Sequence, residues 1–277
     1  MGRVETRMYK RRAARAKTMR RLLLLVLLGA AVLIAWGRLD DGFIAEHLSL
    51  PTPTPVTPDF NQTVESREVT LQADTWYAIQ TGVFSTQEAA IEKADAYTQR
   101  GAPGTVIQDG EKWRVFIACY STEDAASSVR SRLETVQKVD TYLYAWKCPE
   151  VRLRLTGKAG QLDTVEAGFT LLTSTAAALR DAATDLDAGQ LTTGEALVSV
   201  TALDSAVGLW EETVRSRFGK VIPELVQEML HITSGCRERF VRLQDAQEAT
   251  TLSASLKAEA MGMYDDVITW RNALLAK

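Results

Sequence analysis

The chain has 277 residues, of which 46% are apolar and 24% charged, with a formal net charge of −3. That length is enough for roughly one to three domains with cores of their own. Three cysteines (Cys119, Cys148 and Cys236) without a CxxC pair, and two isolated histidines (His47 and His231), argue against a disulfide framework, a zinc site and His-dependent nucleophilic catalysis.

The net charge hides an asymmetry. Residues 1–21 hold nine Lys/Arg (Arg3, Arg7, Lys10, Arg11, Arg12, Arg15, Lys17, Arg20, Arg21) against Glu5, which leaves 23 basic and 34 acidic residues for the remainder. The positive charge belongs to a short tail, so no nucleic-acid partner is expected.

Residues 22–37, L-L-L-L-V-L-L-G-A-A-V-L-I-A-W-G, carry no charge. As a helix they reach roughly 24 Å at about 1.5 Å per residue. The hydrocarbon core is about 30 Å thick, and Arg20, Arg21 and Arg38 can snorkel to close the gap. Trp36 sits where an interfacial aromatic belongs. The segment reads as a single transmembrane helix. The basic flank places residues 1–21 in the cytoplasm and everything after Arg38 outside. Ala35-Trp36-Gly37 is a poor small-x-small cleavage site, which favours an uncleaved anchor over a signal peptide.

Residues 38–74 show no sustained periodicity. Pro51, Pro53, Pro55 and Pro58 alternate with Thr and Val. Such a run cannot be helical and favours an extended polyproline-II spacer.

Residues 75–147 contain an internal repeat. The stretch 76–85, W-Y-A-I-Q-T-G-V-F-S, is echoed by 113–121, W-R-V-F-I-A-C-Y-S. Each leads into a similar segment, F-S-T-Q-E-A-A from Phe84 and Y-S-T-E-D-A-A from Tyr120, offset by 36 residues. A fixed offset speaks for a repeated strand–helix unit. Ser85-x-x-Glu88 and Ser121-x-x-Asp124 read as helix-starting caps. Ala90, Ala94 and Tyr97 give the first helix an apolar side, which Gly101 ends. Ala126, Val129, Leu133 and Val136 do the same for the second. A short strand at 105–108, an Asp109-Gly110 turn, a strand from Lys112 and a last strand at 140–146 complete the order βαββαβ.

This is a ferredoxin-like split. Right-handed crossovers put both helices on one sheet face and leave the other open. Strict alternation puts Tyr77, Ile79, Thr81, Val83, Trp113, Val115 and Ile117 towards the helices. It puts Trp76, Gln80, Gly82, Arg114, Phe116, Tyr142 and Tyr144 on the open face. Aromatic rings stack on pyranose faces, and Gln and Arg donate to sugar oxygens, so this face suits a glycan. The same aromatics could instead pack beneath a neighbour, such as the helices after residue 160.

At these residues the sequence resembles the SPOR domain, a peptidoglycan-binding module of bacterial division and sporulation proteins. The family's V-Q-x-G-x-F-S pattern is matched by Ile79-Gln80-Thr81-Gly82-Val83-Phe84-Ser85. Its R-V-x-x-G-P-F pattern is matched by Arg114-Val115-Phe116-Ile117-Ala118-Cys119-Tyr120, where Ala118-Cys119 replaces Gly-Pro. Lys112 stands where some members carry Trp. The resemblance implies non-catalytic binding of glycan strands stripped of stem peptides, through Gln80, Arg114, Phe116, Tyr142 and Tyr144. It also implies action where the wall is remodelled, such as a division or sporulation septum. A basic tail, single span and Pro-rich spacer are the family's usual layout.

From Val151 a short alternating strand gives way to helical spacing. Leu162 to Leu186, Ala196 to Val214, Ile222 to Leu243 and Leu252 to Leu274 each step by three and four. Gly189, Thr192-x-x-Glu195, Gly219 and Pro223 punctuate the stripes. An antiparallel bundle of three or four helices is expected. No charge interrupts the stripes, so no buried metal or acid pair is expected there, and no cofactor or catalytic residue is assigned. A protein partner or self-association through residues 160–277 stays open.

The expected architecture is therefore α+β: one transmembrane helix, a ferredoxin-like βαββαβ domain and a C-terminal antiparallel helical bundle. The expected function is membrane-anchored glycan binding. The alternative is a membrane-anchored scaffold that recruits partners through its bundle and uses the sheet face for internal packing.

Overall fold

The computed structural model describes residues 63–245 and 248–277. The basic tail, the expected span at 22–37 and the Pro-rich run lie outside the described residues. Among the described residues no helix is long and apolar enough to cross a membrane.

The described chain begins with a strand that the sequence did not announce. Strand β1 (Val64–Leu71) falls within the expected spacer and pairs antiparallel with β6 (Val151–Lys158), from Val64 opposite Lys158 to Leu71 opposite Val151. Only Val64, Val69 and Leu71 are apolar in β1, so its period is weak. Its register comes from the partner, where Val151, Leu153 and Leu155 alternate with Arg152 and Arg154. Glu68 faces Arg154 across the pair, and Arg67 reaches Asp163 at 2.6 Å and Glu166 at 3.1 Å on the following helix. The repeat domain is thus inserted between two strands of a ribbon rooted on the bundle.

The repeat itself folds in the expected order: β2 (Asp74–Phe84), α1 (Gln87–Thr98), β3 (Thr105–Asp109), β4 (Lys112–Tyr120), α2 (Glu123–Arg132) and β5 (Tyr142–Cys148). The sheet runs β3-β4-β2-β5, with antiparallel neighbours throughout. This is the ferredoxin-like arrangement. Both helices start one residue later than expected. Thr86 and Thr122, rather than the preceding serines, are the N-caps, and their hydroxyls accept from the Ala89 and Ala125 amides. The caps share φ −127° and ψ near 150°, so the repeat is visible at atomic level. Helix α2 widens into a π turn at Leu133–Gln137 and ends at Lys138 in left-handed conformation (φ 56°). The wider turn rotates Val136 into solvent, and Val139 packs on the core in its place.

Two bulges reset the faces of the central strands. Ile79 faces Ala118, Gln80 faces Phe116 and Gly82 faces Val115, so Ile117 and Thr81 are each left over. A bulge shifts the alternation by one. Gly82 consequently lies on the helix side with Val115, and Val83 lies on the other side beside Arg114. Both placements reverse the strict-alternation expectation. Phe84 takes the core position meant for Val83, and its ring fills the space above Gly82, where an added Cβ would stand 2.6 Å from it. Ala118 likewise joins the helix-side core with Ile79, Ala90, Ala94, Tyr97, Val115 and Ile117.

Four helices follow: α3 (Ala159–Asp187), α4 (Thr193–Phe218), α5 (Glu224–Gln244) and α6 (Ala249–Leu275). Their contacts are antiparallel. Trp210 of α4 donates to the Thr164 carbonyl of α3 at 2.8 Å, Arg237 of α5 meets Asp204 of α4, and Trp270 near the end of α6 meets Phe169 near the start of α3. The three-and-four stripes are buried throughout, at Leu162, Val165, Phe169, Leu172, Ala176, Leu179, Ala183 and Leu186 of α3 and at Ala196, Val200, Leu203, Val207, Trp210 and Val214 of α4. The Thr192 capping box forms as expected. Three charged side chains are nevertheless buried off the stripes: Arg180, Glu211 and Arg271. Glu211 accepts from the Thr233 hydroxyl and pairs with Arg215 and Arg237.

Candidate functional site

The second sheet face is built from cross-strand rows. Trp76 faces Trp146, Ala78 faces Tyr144, and Gln80 faces both Tyr142 and Phe116. Arg114 lies between Val83 and Ile107. The aromatic set expected from alternation is therefore gathered on one face.

That face is not open along its length. Helix α6 packs across β3, β4 and β5. Tyr264 stacks on Trp76 with ring centroids 3.9 Å apart and planes 4° apart, and it meets the Trp146 ring edge-on. Its hydroxyl donates to the Trp146 carbonyl at 3.3 Å. Arg180 of α3 lies against the Trp76 ring, 4.5 Å from its centroid. Trp76 and Phe116 are 1% exposed and Gln80 7%. The expectation of an uncovered face is corrected for these three residues, because the bundle supplies the layer that an isolated sheet lacks.

Magnitude decides whether this cover is fixed. Burying each of Trp76, Phe116 and Trp146 is worth about 1.5–3 kcal/mol. Exposing all three would leave fewer than about one molecule in a thousand undocked. Arg271 tightens the join. It is buried and donates to the carbonyls of Gln72 at 2.7 Å and Pro149 at 3.2 Å, on the two chain crossings between ribbon and sheet.

The other end of the face stays accessible. Tyr142 is 63% exposed and Val83 44%, while Tyr144 and Arg114 are half-buried. Arg114 is held in place: Nε donates to Asp109 Oδ2 at 2.6 Å and Nη1 to Gln80 Oε1 at 2.8 Å. Its guanidinium lies over the Tyr144 ring at 4.7 Å, and the Tyr144 hydroxyl donates to the same Asp109 oxygen at 3.3 Å. Phe116 supports Tyr144 from the covered side, 5.4 Å between centroids. Gln80 thus acts from beneath, as a buried brace for Arg114.

This end can recognise a sugar. The Tyr142 ring offers an apolar platform, and guanidinium N–H groups not used by Asp109 and Gln80 can donate to hydroxyl or amide oxygens. Burial pushes the Tyr144 phenol up from its ordinary pKa, and Asp109 adds to the shift, so the hydroxyl stays a donor. Asp265 of α6 is half-buried and acts electrostatically on the Tyr144 phenol. Burial raises its carboxyl to about 6, with neighbouring Asp266 adding to it and Asp109 contributing less.

Val83, Asp109 and Asp265 escaped the sequence reading. Gly82 inside a strand was a signal for the bulge that exposes Val83. Asp109 read only as a turn residue. Asp265 carried no signal, because it depends on which face of α6 meets the sheet. The three cysteines are buried and free, and burial pushes Cys119 and Cys236 to about 12, far from nucleophilic. Among the described residues no group of three or more His, Cys, Asp or Glu is placed to hold a metal ion.

Residues 73–145 match the family model described as the SPOR domain. That segment is a SPOR domain, which supports peptidoglycan binding in general. No curated protein matches the chain, and no solved structure does.

Proposed function

We propose that this protein binds peptidoglycan glycan strands, without catalysing their cleavage, through the exposed end of its SPOR sheet face. The observation that carries the reading is the cluster of Tyr142, Tyr144 and Arg114, accessible on the SPOR domain and braced from below by Gln80 and Phe116. Residues 22–37 would anchor the chain in the cell membrane, with the N-terminus cytoplasmic and the spacer reaching towards the wall. Tethering to a membrane that runs parallel to the wall multiplies weak contacts by effective concentration. Sites of wall remodelling, such as division or sporulation septa, offer glycan stripped of stem peptides.

A second reading has a specific observation in its favour. Part of the sheet face is spent on packing against the bundle, as a scaffold would require. In that reading the outer helix faces recruit a protein partner or a second copy of the chain.

Retention of the detergent-solubilised full chain on purified sacculi separates the two. The glycan reading expects wild type to be retained and a Tyr142→Ala/Arg114→Ala variant to be lost. Equal retention of both would leave the scaffold reading standing.

A further inference from the structure

One end of the bundle receives the chain from residues 1–62, and short bonds hold that end together. Val64 opens β1 opposite Lys158, the last residue of β6. The Gln161 side chain ties this point to the end of α4. Its Oε1 accepts from the Lys158 amide at 3.3 Å, and its Nε2 donates to the Arg217 carbonyl at 3.2 Å. Gly219 (φ 60°) then turns the chain through Lys220 and Val221, and the Ile222 carbonyl accepts from Gln227 Nε2 of α5 at 2.7 Å. Lys277, just past α6, joins α5 at Glu224 (2.9 Å) and Glu228 (2.7 Å).

Two kinds of side chain are left on this end. Val221 is 83% exposed, Val64 68% and Leu275 56%. Beside them Lys158 and Lys220 are exposed, and Arg217 is half-buried with its Nε lacking a hydrogen-bond partner. The nearby carboxylates are engaged elsewhere: Glu65, Asp163 and Glu166 by Arg67, Glu211 by Arg215 and Arg237, and Glu224 and Glu228 by Lys277. Glu212, about two turns before the end of α4, and the Lys277 α-carboxylate are the acidic groups that remain. Three cations therefore stand among three exposed apolar side chains with little to neutralise them. That combination matches the interface of an anionic bilayer, where phosphates pair with Lys and Arg and apolar side chains enter the acyl boundary. It also lies where the chain leads back towards residues 22–37, with residues 38–62 between, a span of no more than about 80 Å at about 3 Å per residue.

We propose that this end of the bundle is a docking surface for an anionic phospholipid membrane, formed by Lys158, Arg217 and Lys220 with Val64, Val221 and Leu275. The proposal rests on the membrane anchor in the reading above and adds a second contact with the same bilayer. The anchor fixes the distance to the membrane, and the docking surface fixes which end of the bundle faces it.

The test uses the full chain in nanodiscs of phosphatidylcholine, alone or mixed with phosphatidylglycerol, each holding a lipid spin-labelled at its headgroup. A fluorophore is attached at Ser216→Cys, exposed in the last turn of α4, or at Gln190→Cys, exposed at the opposite end of the bundle; the native cysteines are buried. Quenching at Ser216→Cys is expected to be at least about threefold greater with the anionic lipid. The excess is expected to vanish in a Lys158→Gln/Lys220→Gln background, and at about 1 M salt, where the Debye length is about 3 Å. Gln190→Cys is expected to show no such excess. Equal quenching of Ser216→Cys in the two disc types overturns the proposal, and so does an equal excess at Gln190→Cys or an excess that survives the double substitution. A chain that does not insert into either disc overturns the anchor reading, and the proposal with it. The salt series on the unsubstituted cations decides even where the double variant folds poorly.

Discussion

Trp76 and Tyr264, 188 positions apart in the chain, stack face to face with 3.9 Å between ring centroids. One ring belongs to the SPOR sheet and the other to the last helix of the bundle. This pair converts a face that the topology leaves bare into an interior. It makes the described SPOR domain dependent on the helices that follow it.

Removing the Tyr264 ring should therefore destabilise sheet and bundle together. Tyr264→Ala is expected to cost about 3–5 kcal/mol, as for other large-to-Ala changes in a core. Tyr264→Phe keeps the stack and loses only the bond to the Trp146 carbonyl, so about 1 kcal/mol is expected. Urea unfolding followed by tryptophan fluorescence measures both. Wild-type stability in Tyr264→Ala would mean that the bundle does not hold the sheet.

Arg271 joins two chain crossings through one guanidinium. Arg271→Met keeps much of the apolar stem but leaves the Gln72 and Pro149 carbonyls without this donor. A loss on the order of 2–3 kcal/mol is expected. Hydrogen exchange should quicken first in the β1–β6 ribbon and at the start of β2. Uniform exchange across the chain would contradict a local role.

Two carboxylates give opposite pH signatures. Glu195 accepts from the Thr192 amide and hydroxyl, which lowers its pKa. Its stabilisation is present above the ordinary carboxylate range and is lost as pH falls through the lowered folded value. Thr192→Ala removes the hydroxyl but keeps the amide, so the Glu195 titration should move only part of the way back to the ordinary range, and the lost cap should cost about 1 kcal/mol. Asp265 is raised to about 6 from 3.8, chiefly by burial. The folded state then holds the proton more tightly than the unfolded one, so stability falls as pH rises from about 4 to about 6. Asp265→Asn should remove that fall and gain on the order of 1 kcal/mol at pH 7, after allowance for solvent screening. Carboxyl titration by NMR and unfolding midpoints across pH check both signs.

Gly82 tests the bulge. Gly82→Ala places a methyl against the Phe84 ring, which must move. A loss of about 1–3 kcal/mol is expected from overpacking. Because Val83 and Arg114 take their positions from the same distortion, glycan retention should fall as well. A stable variant with full retention would show that the strand tolerates a different register there.

Much of this fold was legible in the chain. The offset between the Phe84 and Tyr120 segments announced two strand–helix units, and the caps at Thr86 and Thr122 repeat in kind. Stripes such as Leu162 to Leu186 announced the bundle because helical periodicity is local. What escaped notice is non-local. β1 takes its register from β6, some 80 residues away or more. The bulges at Thr81 and Ile117 exist only in the pairing of two strands. The burial of Trp76, Gln80 and Phe116 depends on a second apolar face of α6, which Met261, Tyr264 and Ile268 encode beside the stripe of Met263, Val267 and Trp270. Of the five expected site residues, Arg114, Tyr142 and Tyr144 remain accessible, while Gln80 and Phe116 support them from below.

On the glycan reading, the exposed end of the SPOR face holds glycan while the covered part packs on the bundle. Sacculus retention of the full chain tests it most directly, with Tyr142→Ala/Arg114→Ala compared with wild type at equal unfolding midpoint. At least a tenfold loss is expected, about 1.4 kcal/mol or more. Retention equal to wild type would contradict it.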